Sequence, residues 1–177
     1  MRLVSVCICF IVAMADPSFA FAADDERQFL DGIQARNVGP FRGGRAMVAV
    51  GVRQNSHVYY MGTTGGVWKT INAGATWQPM SDDDFGTAAV GAIAVAPSDP
   101  NVVVVGMGES PFRNIASSQG DGVYKSTDAG KSWTHIGFRD VKQIGEIRIH
   151  PDNADVMWVA AQGNAYLPGP NTGIYKT

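Results

Sequence analysis

Apolar residues along this chain fall into paired short runs, and each pair is followed by a glycine, an aliphatic residue, an aromatic residue and a lysine. The first members of the pairs are Ala46–Val52, Val90–Ala96 and Ile144–His150. The second members are Val58–Gly62, Val102–Gly106 and Val156–Ala160. Between them lie the clusters Arg53–Ser56, Pro97–Asn101 and Pro151–Ala154, rich in residue types that preset φ or bond their own backbone in turns. The following segments are Gly66-Val-Trp-Lys69, Gly122-Val-Tyr-Lys125 and Gly173-Ile-Tyr-Lys176. The pattern predicts strand A, turn, strand B, loop, strand C, turn and a short strand D. Strand D is expected over Thr76–Met80 in the first repeat and Ser132–Ile136 in the second. No window beyond the N-terminal segment sustains a 3.6-residue apolar period, so few helices are expected.

The C–D turn carries the clearest motif, Ser126-Thr-Asp-Ala-Gly-Lys-Ser-Trp133, with a looser copy at Thr70-Ile-Asn-Ala-Gly-Ala-Thr-Trp77. Asp128 can accept hydrogen bonds from its own turn, Gly130 can supply a positive φ, Ser126 and Ser132 can bond locally, and Trp133 can pack into the sheet. Asn72 accepts as Asp128 does but without charge, alongside Thr70, Gly74, Thr76 and Trp77. These ten residues are read as a structural staple, because one short turn can satisfy all its polar groups internally. Four antiparallel strands recurring about every fifty residues describe a β-propeller blade. The nearly continuous apolar A and B runs suit strands covered on both faces. The expected fold is therefore all-β, an incomplete propeller of two full blades, approximately 45–80 and 90–136, plus part of a third, 143–177. The third copy of the motif breaks off at Thr177, so the chain is expected to be the N-terminal part of a longer protein whose remaining blades complete the ring. The segment Gly32–Val38 is a candidate strand for closing it.

The start of the chain changes the picture of where the protein works. Arg2 precedes an apolar stretch from Leu3 to Met14, and small residues through Ala22 and Ala23 lead into Asp24-Asp-Glu26. This reads as a secretory signal peptide over residues 1–22, cleaved after Ala22 or Ala23 and leaving no membrane anchor. Export to a periplasmic or extracellular location is expected. Both cysteines, Cys7 and Cys9, lie inside that stretch, so the mature chain is expected to lack thiol chemistry. A formal charge of −2 offers no electrostatic footprint for nucleic acid. His57, His135 and His150 lack metal-ligand spacing, and neither a metal nor a cofactor is expected.

The chain resembles the BNR, or Asp-box, repeat propellers. More narrowly it resembles the bacterial "glycosyl hydrolase" BNR proteins, which are similar to sortilin-type and xyloglucanase-like propellers. The resemblance rests on Arg36–Arg45, Pro97–Glu109, Gly122–Trp133 and His150–Val156. It implies a ligand face formed by the B–C and D–A loops, opposite the Asp-box turns. On that face Glu109 leaves a buried strand, where a carboxylate could have a raised pKa and act as a general acid. Asp82, Asp83 and Asp84 are its candidate partners, with Asp83 the central choice. The bland alternatives are a loop-anchoring carboxylate for Glu109, bonded to amides or Arg113, and a solvated turn for the Asp run. Arg42, Arg45 and Arg113 are candidate ligand-binding arginines, or arginines that seal the channel by pairing with carboxylates. The resemblance implies a hydrolase acting on or binding carbohydrate, or a non-catalytic propeller that binds protein or peptide partners.

Overall fold

The structure is a computed structural model that describes residues 44–109, 118–164 and 171–177. The signal-like segment, the candidate strand Gly32–Val38, Arg42 and Arg113 lie outside the described residues. Among the described residues there are eleven strands and no helix. The first sheet is β1 (Ala46–Val52), β2 (Asn55–Thr63), β3 (Gly66–Thr70) and β4 (Gln78–Pro79). The second is β5 (Val90–Val95), β6 (Val103–Met107), β7 (Val123–Ser126) and β8 (Thr134–Gly137). The third is β9 (Gln143–His150), β10 (Asn153–Gly163) and β11 (Gly173–Lys176). Within each sheet the strands lie in chain order and pair antiparallel. These are β-propeller blades, two of four strands and a partial third, as the repeat predicted.

The departures lie at strand ends. β2 begins at Asn55, not Val58, because the Arg53–Gln54 turn is only two residues long and the Asn55 side chain caps the His57 amide at 3.0 Å. Likewise β10 begins at Asn153, whose side chain accepts from the Asp155 amide at 2.9 Å. The fourth strands start later than expected. The Thr76 and Ser132 amides are already committed to the turns before them, so β4 is reduced to Gln78–Pro79 and β8 runs Thr134–Gly137. Pro79 has no N–H to extend the ladder, which suits an edge strand.

The core lies between the sheets. Val52, Tyr60 and Val67 from the first sheet meet Val90, Ile93, Val103 and Val105 from the second. Ala92, Ala94, Val104 and Val123 face Ile144, Ile147, Met157 and Val159 of the third. Every residue of β6 is buried, since its two faces contribute to different cores. Burying a side chain such as valine is worth about 1.5–3 kcal/mol. Stacking is therefore the main source of stability, and each sheet depends on its neighbours.

Two glycines set how closely the sheets approach. A Cβ on Gly62 would lie 2.5 Å from Val90 Cγ1, and one on Gly106 would lie 2.3 Å from Ile144 Cγ2. Both belong to the central strand of their sheet and receive a side chain from the next sheet's inner strand.

Candidate functional site

The two turn motifs are closed systems. Asp128 Oδ1 accepts from the amides of Lys131 and Ser132 at 2.9 and 3.0 Å and from Ser126 Oγ at 2.7 Å. Asp128 Oδ2 accepts from Ser132 Oγ at 2.7 Å, and Ser126 Oγ accepts the Gly130 amide at 2.8 Å. Hydrogen bonds from the Ser132 hydroxyl and amide, then the Ser126 hydroxyl, hold the Asp128 carboxyl well below the usual carboxylate range. Asn72 repeats the geometry, accepting from the Thr76 amide and the Thr70 hydroxyl, each at 2.9 Å. Glycine is not the only residue with positive φ here. Ala73 and Ala129, at 54° and 60°, precede Gly74 and Gly130 in the left-handed region, a feature the sequence pattern does not announce.

The second turn also anchors the first sheet to the second. Trp133 Nε1 donates to the Met80 carbonyl at 2.7 Å, and Asp84 accepts from the Trp133 amide at 3.1 Å. Tyr60 Oη and Lys69 Nζ both donate to the Ala129 carbonyl, at 2.9 and 2.8 Å. Burial, followed by the charge of Asp128, pushes the Tyr60 hydroxyl up to about 12. Burial also lowers the Lys69 ammonium, with Lys131 adding to the effect.

The opposite face gathers the B–C and D–A connections. Arg45 enters β1 from this face, and its backbone is fixed to Thr64 by reciprocal bonds of 3.1 Å through the Thr64 hydroxyl and amide. Glu109 leaves β6 on the same face. Gly108 before it, at φ 98°, has no room for a side chain, because a Cβ would lie 2.0 Å from the Lys142 carbonyl. That close approach to the third sheet sets the direction in which the chain leaves. The Glu109 amide donates to the Ser118 carbonyl at 2.9 Å, while the Ser118 amide reaches Glu109 Oε2 at 3.4 Å.

Arg45 Nη2 donates to Glu109 Oε1, joining two sheets through a side chain 53% exposed and another 3% exposed. In both of these contacts the Glu109 carboxylate is the acceptor. On the loop face the described contacts of Glu109 are to Arg45 and the Ser118 amide, which match the loop-anchoring alternative for Glu109 and the pairing alternative for Arg45. Asp82, Asp83 and Asp84 line a cleft of about 270 Å³ with Met80, Gly130 and Lys131, and Asp82 also lines the depression beside Thr64. The connection after β4 passes the Ser126–Trp133 turn, where the Trp133 ring and amide bond the Met80 carbonyl and the Asp84 carboxylate. Ser81, at the head of that run, is buried and accepts the Val67 amide at 3.0 Å.

Sequence reasoning missed a second polar group. Asp121 accepts from Tyr124 Oη at 2.7 Å and from Thr87 Oγ1 at 3.1 Å. His135 Nε2 lies 2.8 Å from the Asp121 carbonyl, and its ring meets Tyr124 edge-on at 4.8 Å. Burial is the main cause raising the Tyr124 hydroxyl. Only the position of Asp121 at the end of a long loop could have marked it. Next to Thr64, a depression of about 320 Å³ is lined by Gly65, Gly66, Ser81, Asp82, Phe85 and Thr87. No group of three or more metal-ligating side chains occurs among the described residues, and no helix among them is long and apolar enough to cross a membrane.

No family model and no curated protein sequence matches the chain. Solved structures do. An ancestral GH74 enzyme aligns at 18% identity with a TM-score of 0.58, covering 77% of this chain and 18% of its own. The GH74 xyloglucanase from Xanthomonas campestris aligns at 20% identity and a TM-score of 0.53, over 80% of this chain and 22% of its own. The GH74 enzyme of Niastella koreensis aligns at 22% identity and 0.52, over 69% and 18%. The likeness is one of fold, and the chain spans about a fifth of the length of each of these structures.

Proposed function

We propose that this chain belongs to an exported Asp-box propeller that binds carbohydrate on its B–C and D–A loop face, at Arg45 and the depression beside Thr64. The observation that carries the reading is the Arg45–Glu109 pair. A carboxylate this buried loses much of its hydration, and a pair of this kind adds little net stability over apolar packing. Its use here is positional: Glu109 holds one edge of the guanidinium, leaving the exposed remainder to donate to a ligand's oxygens. The adjoining depression, with its glycine floor, carboxylate and hydroxyl, offers the concave, sparsely polar shape of a small-ligand seat. The GH74 structures supply a carbohydrate-acting relative of this fold, and that likeness supports the choice of ligand class.

Glu109 in this reading orients Arg45 by accepting from its guanidinium. The test is a glycan array that includes xyloglucan-derived, other β-glucan and mannan oligosaccharides, probed with the chain and with Glu109→Gln. Retention of a neutral oligosaccharide is expected, weakened about tenfold by Glu109→Gln through loss of one charge-assisted contact. Failure to retain any glycan, together with capture of an extended peptide, would contradict the proposal and favour a protein-binding propeller.

A further inference from the structure

The depression beside Thr64 lies where the first sheet meets the connection into the second, and the amides of its three glycines are already committed. The Gly65 amide donates to Thr63 Oγ1 at 3.0 Å, and the Gly66 amide donates to the Ala88 carbonyl at 2.8 Å. The Gly86 amide donates to Tyr124 Oη at 3.1 Å. Ser81 is buried against Gly66, and its oxygen accepts the Val67 amide. What these residues leave for a ligand is oxygen: the exposed Asp82 carboxylate and Thr87 Oγ1.

Asp121 decides how the Thr87 hydroxyl acts. A carboxylate only accepts, so the 3.1 Å contact from Thr87 Oγ1 to Asp121 Oδ1 commits the single hydroxyl proton of Thr87. The Thr87 oxygen then has lone pairs alone to offer the depression. Tyr124 Oη, fixed by the Gly86 amide, donates to Asp121 Oδ2 at 2.7 Å, so both carboxylate oxygens are engaged. Gly86 lies against the same carboxylate, where a Cβ would stand 2.6 Å from Asp121 Oδ2. His135 holds the Asp121 backbone as well, since a ring nitrogen 2.8 Å from that carbonyl has to carry its proton.

The loop face thus has two poles. Arg45, with its side chain 53% exposed, is a donor-only group, whereas the depression offers acceptors. A sugar hydroxyl both donates and accepts, and so suits either pole. A carboxylate suits Arg45 alone and meets only lone pairs at Thr87 and Asp82. We propose that Asp121 is a positioning residue that sets specificity: by holding Thr87 as an acceptor, it makes the depression take ligand hydroxyls as donors and turn carboxylates away. This presupposes that the loop face binds carbohydrate, and it assigns the discrimination among sugars to one residue.

Asp121→Asn reverses the arrangement. The buried Tyr124 hydroxyl needs an acceptor, so the new amide turns its oxygen to Tyr124 and its NH2 to Thr87, releasing the Thr87 proton towards the depression. The test compares affinity for the neutral oligosaccharide retained best on the array with that for the same oligosaccharide oxidised to carboxylates at its primary alcohols. All variants are measured at a temperature where circular dichroism shows them folded. The chain is expected to prefer the neutral form about tenfold or more, and Asp121→Asn to shrink that preference about tenfold. Adding Thr87→Val to Asp121→Asn should remove the gain in carboxylate binding, because the new donor is gone. Equal binding of both forms by the chain, an unchanged preference in Asp121→Asn, or a gain that survives Thr87→Val and so comes from lost charge alone would each overturn the proposal while leaving carbohydrate binding intact. Retention of no glycan would overturn the carbohydrate reading, and the proposal with it.

Discussion

At the scale of single residues, Asp128 and Tyr60 show how one turn can control stability from both ends of the pH range. Asp128 has a folded pKa held below its unfolded value, so its contribution is present above about pH 4 and is lost as pH falls through the folded value. Tyr60 is the opposite case. Its folded value, about 12, exceeds the ordinary 10, so its contribution is present below pH 10 and is lost as pH rises through 12. Thermal unfolding followed across pH should therefore show an acid limb that Asp128→Asn removes and an alkaline limb that Tyr60→Phe removes. An acid limb unchanged in Asp128→Asn would assign acid sensitivity to other groups. Asn72 indicates that the amide can hold such a turn, so Asp128→Asn should destabilise far less than Asp128→Ala at neutral pH.

At the scale of elements, the spacing between sheets is set by Gly62 and Gly106. Gly106→Ala should cost about 1–3 kcal/mol, because the added methyl meets the branched Ile144 side chain. Pairing it with Ile144→Val should recover part of that loss, and denaturant unfolding of the single and double variants measures both. No recovery would mean that the backbone, not the side chain, absorbs the clash. Strand content was legible in the sequence because period, turn residues and length agreed over Ala46–Val52, Val90–Val95 and the long third pair. Strand ends were not. Asn55 and Asn153 both cap a turn and start a strand, and composition does not separate those roles. β4 shrank because hydrogen bonds from the Thr76 and Ser132 type of amide claim the residues before Trp77 and Trp133.

At the scale of the whole molecule, the two faces divide the work. The turn face holds the sheets together through Trp133, Tyr60 and Lys69, and the loop face brings Arg45 to Glu109. The sequence placed Arg45 and Glu109 on a common face and offered Glu109 either the Asp run as a partner or an anchoring role through amides and an arginine. Choosing between them depends on the course of the connection after Pro79, which no local pattern encodes. Asp121 was invisible for a similar reason: Thr87 and Tyr124 meet it only once two sheets have stacked. The most direct test of this division is a calorimetric titration of the best-retained oligosaccharide into the chain, Arg45→Ala and Asp128→Ala, at a temperature where all three are folded. The account predicts that Arg45→Ala weakens binding about tenfold or more, while Asp128→Ala leaves the dissociation constant unchanged despite its lower thermal midpoint. Equal binding by the chain and Arg45→Ala, or loss of binding in folded Asp128→Ala, would contradict it.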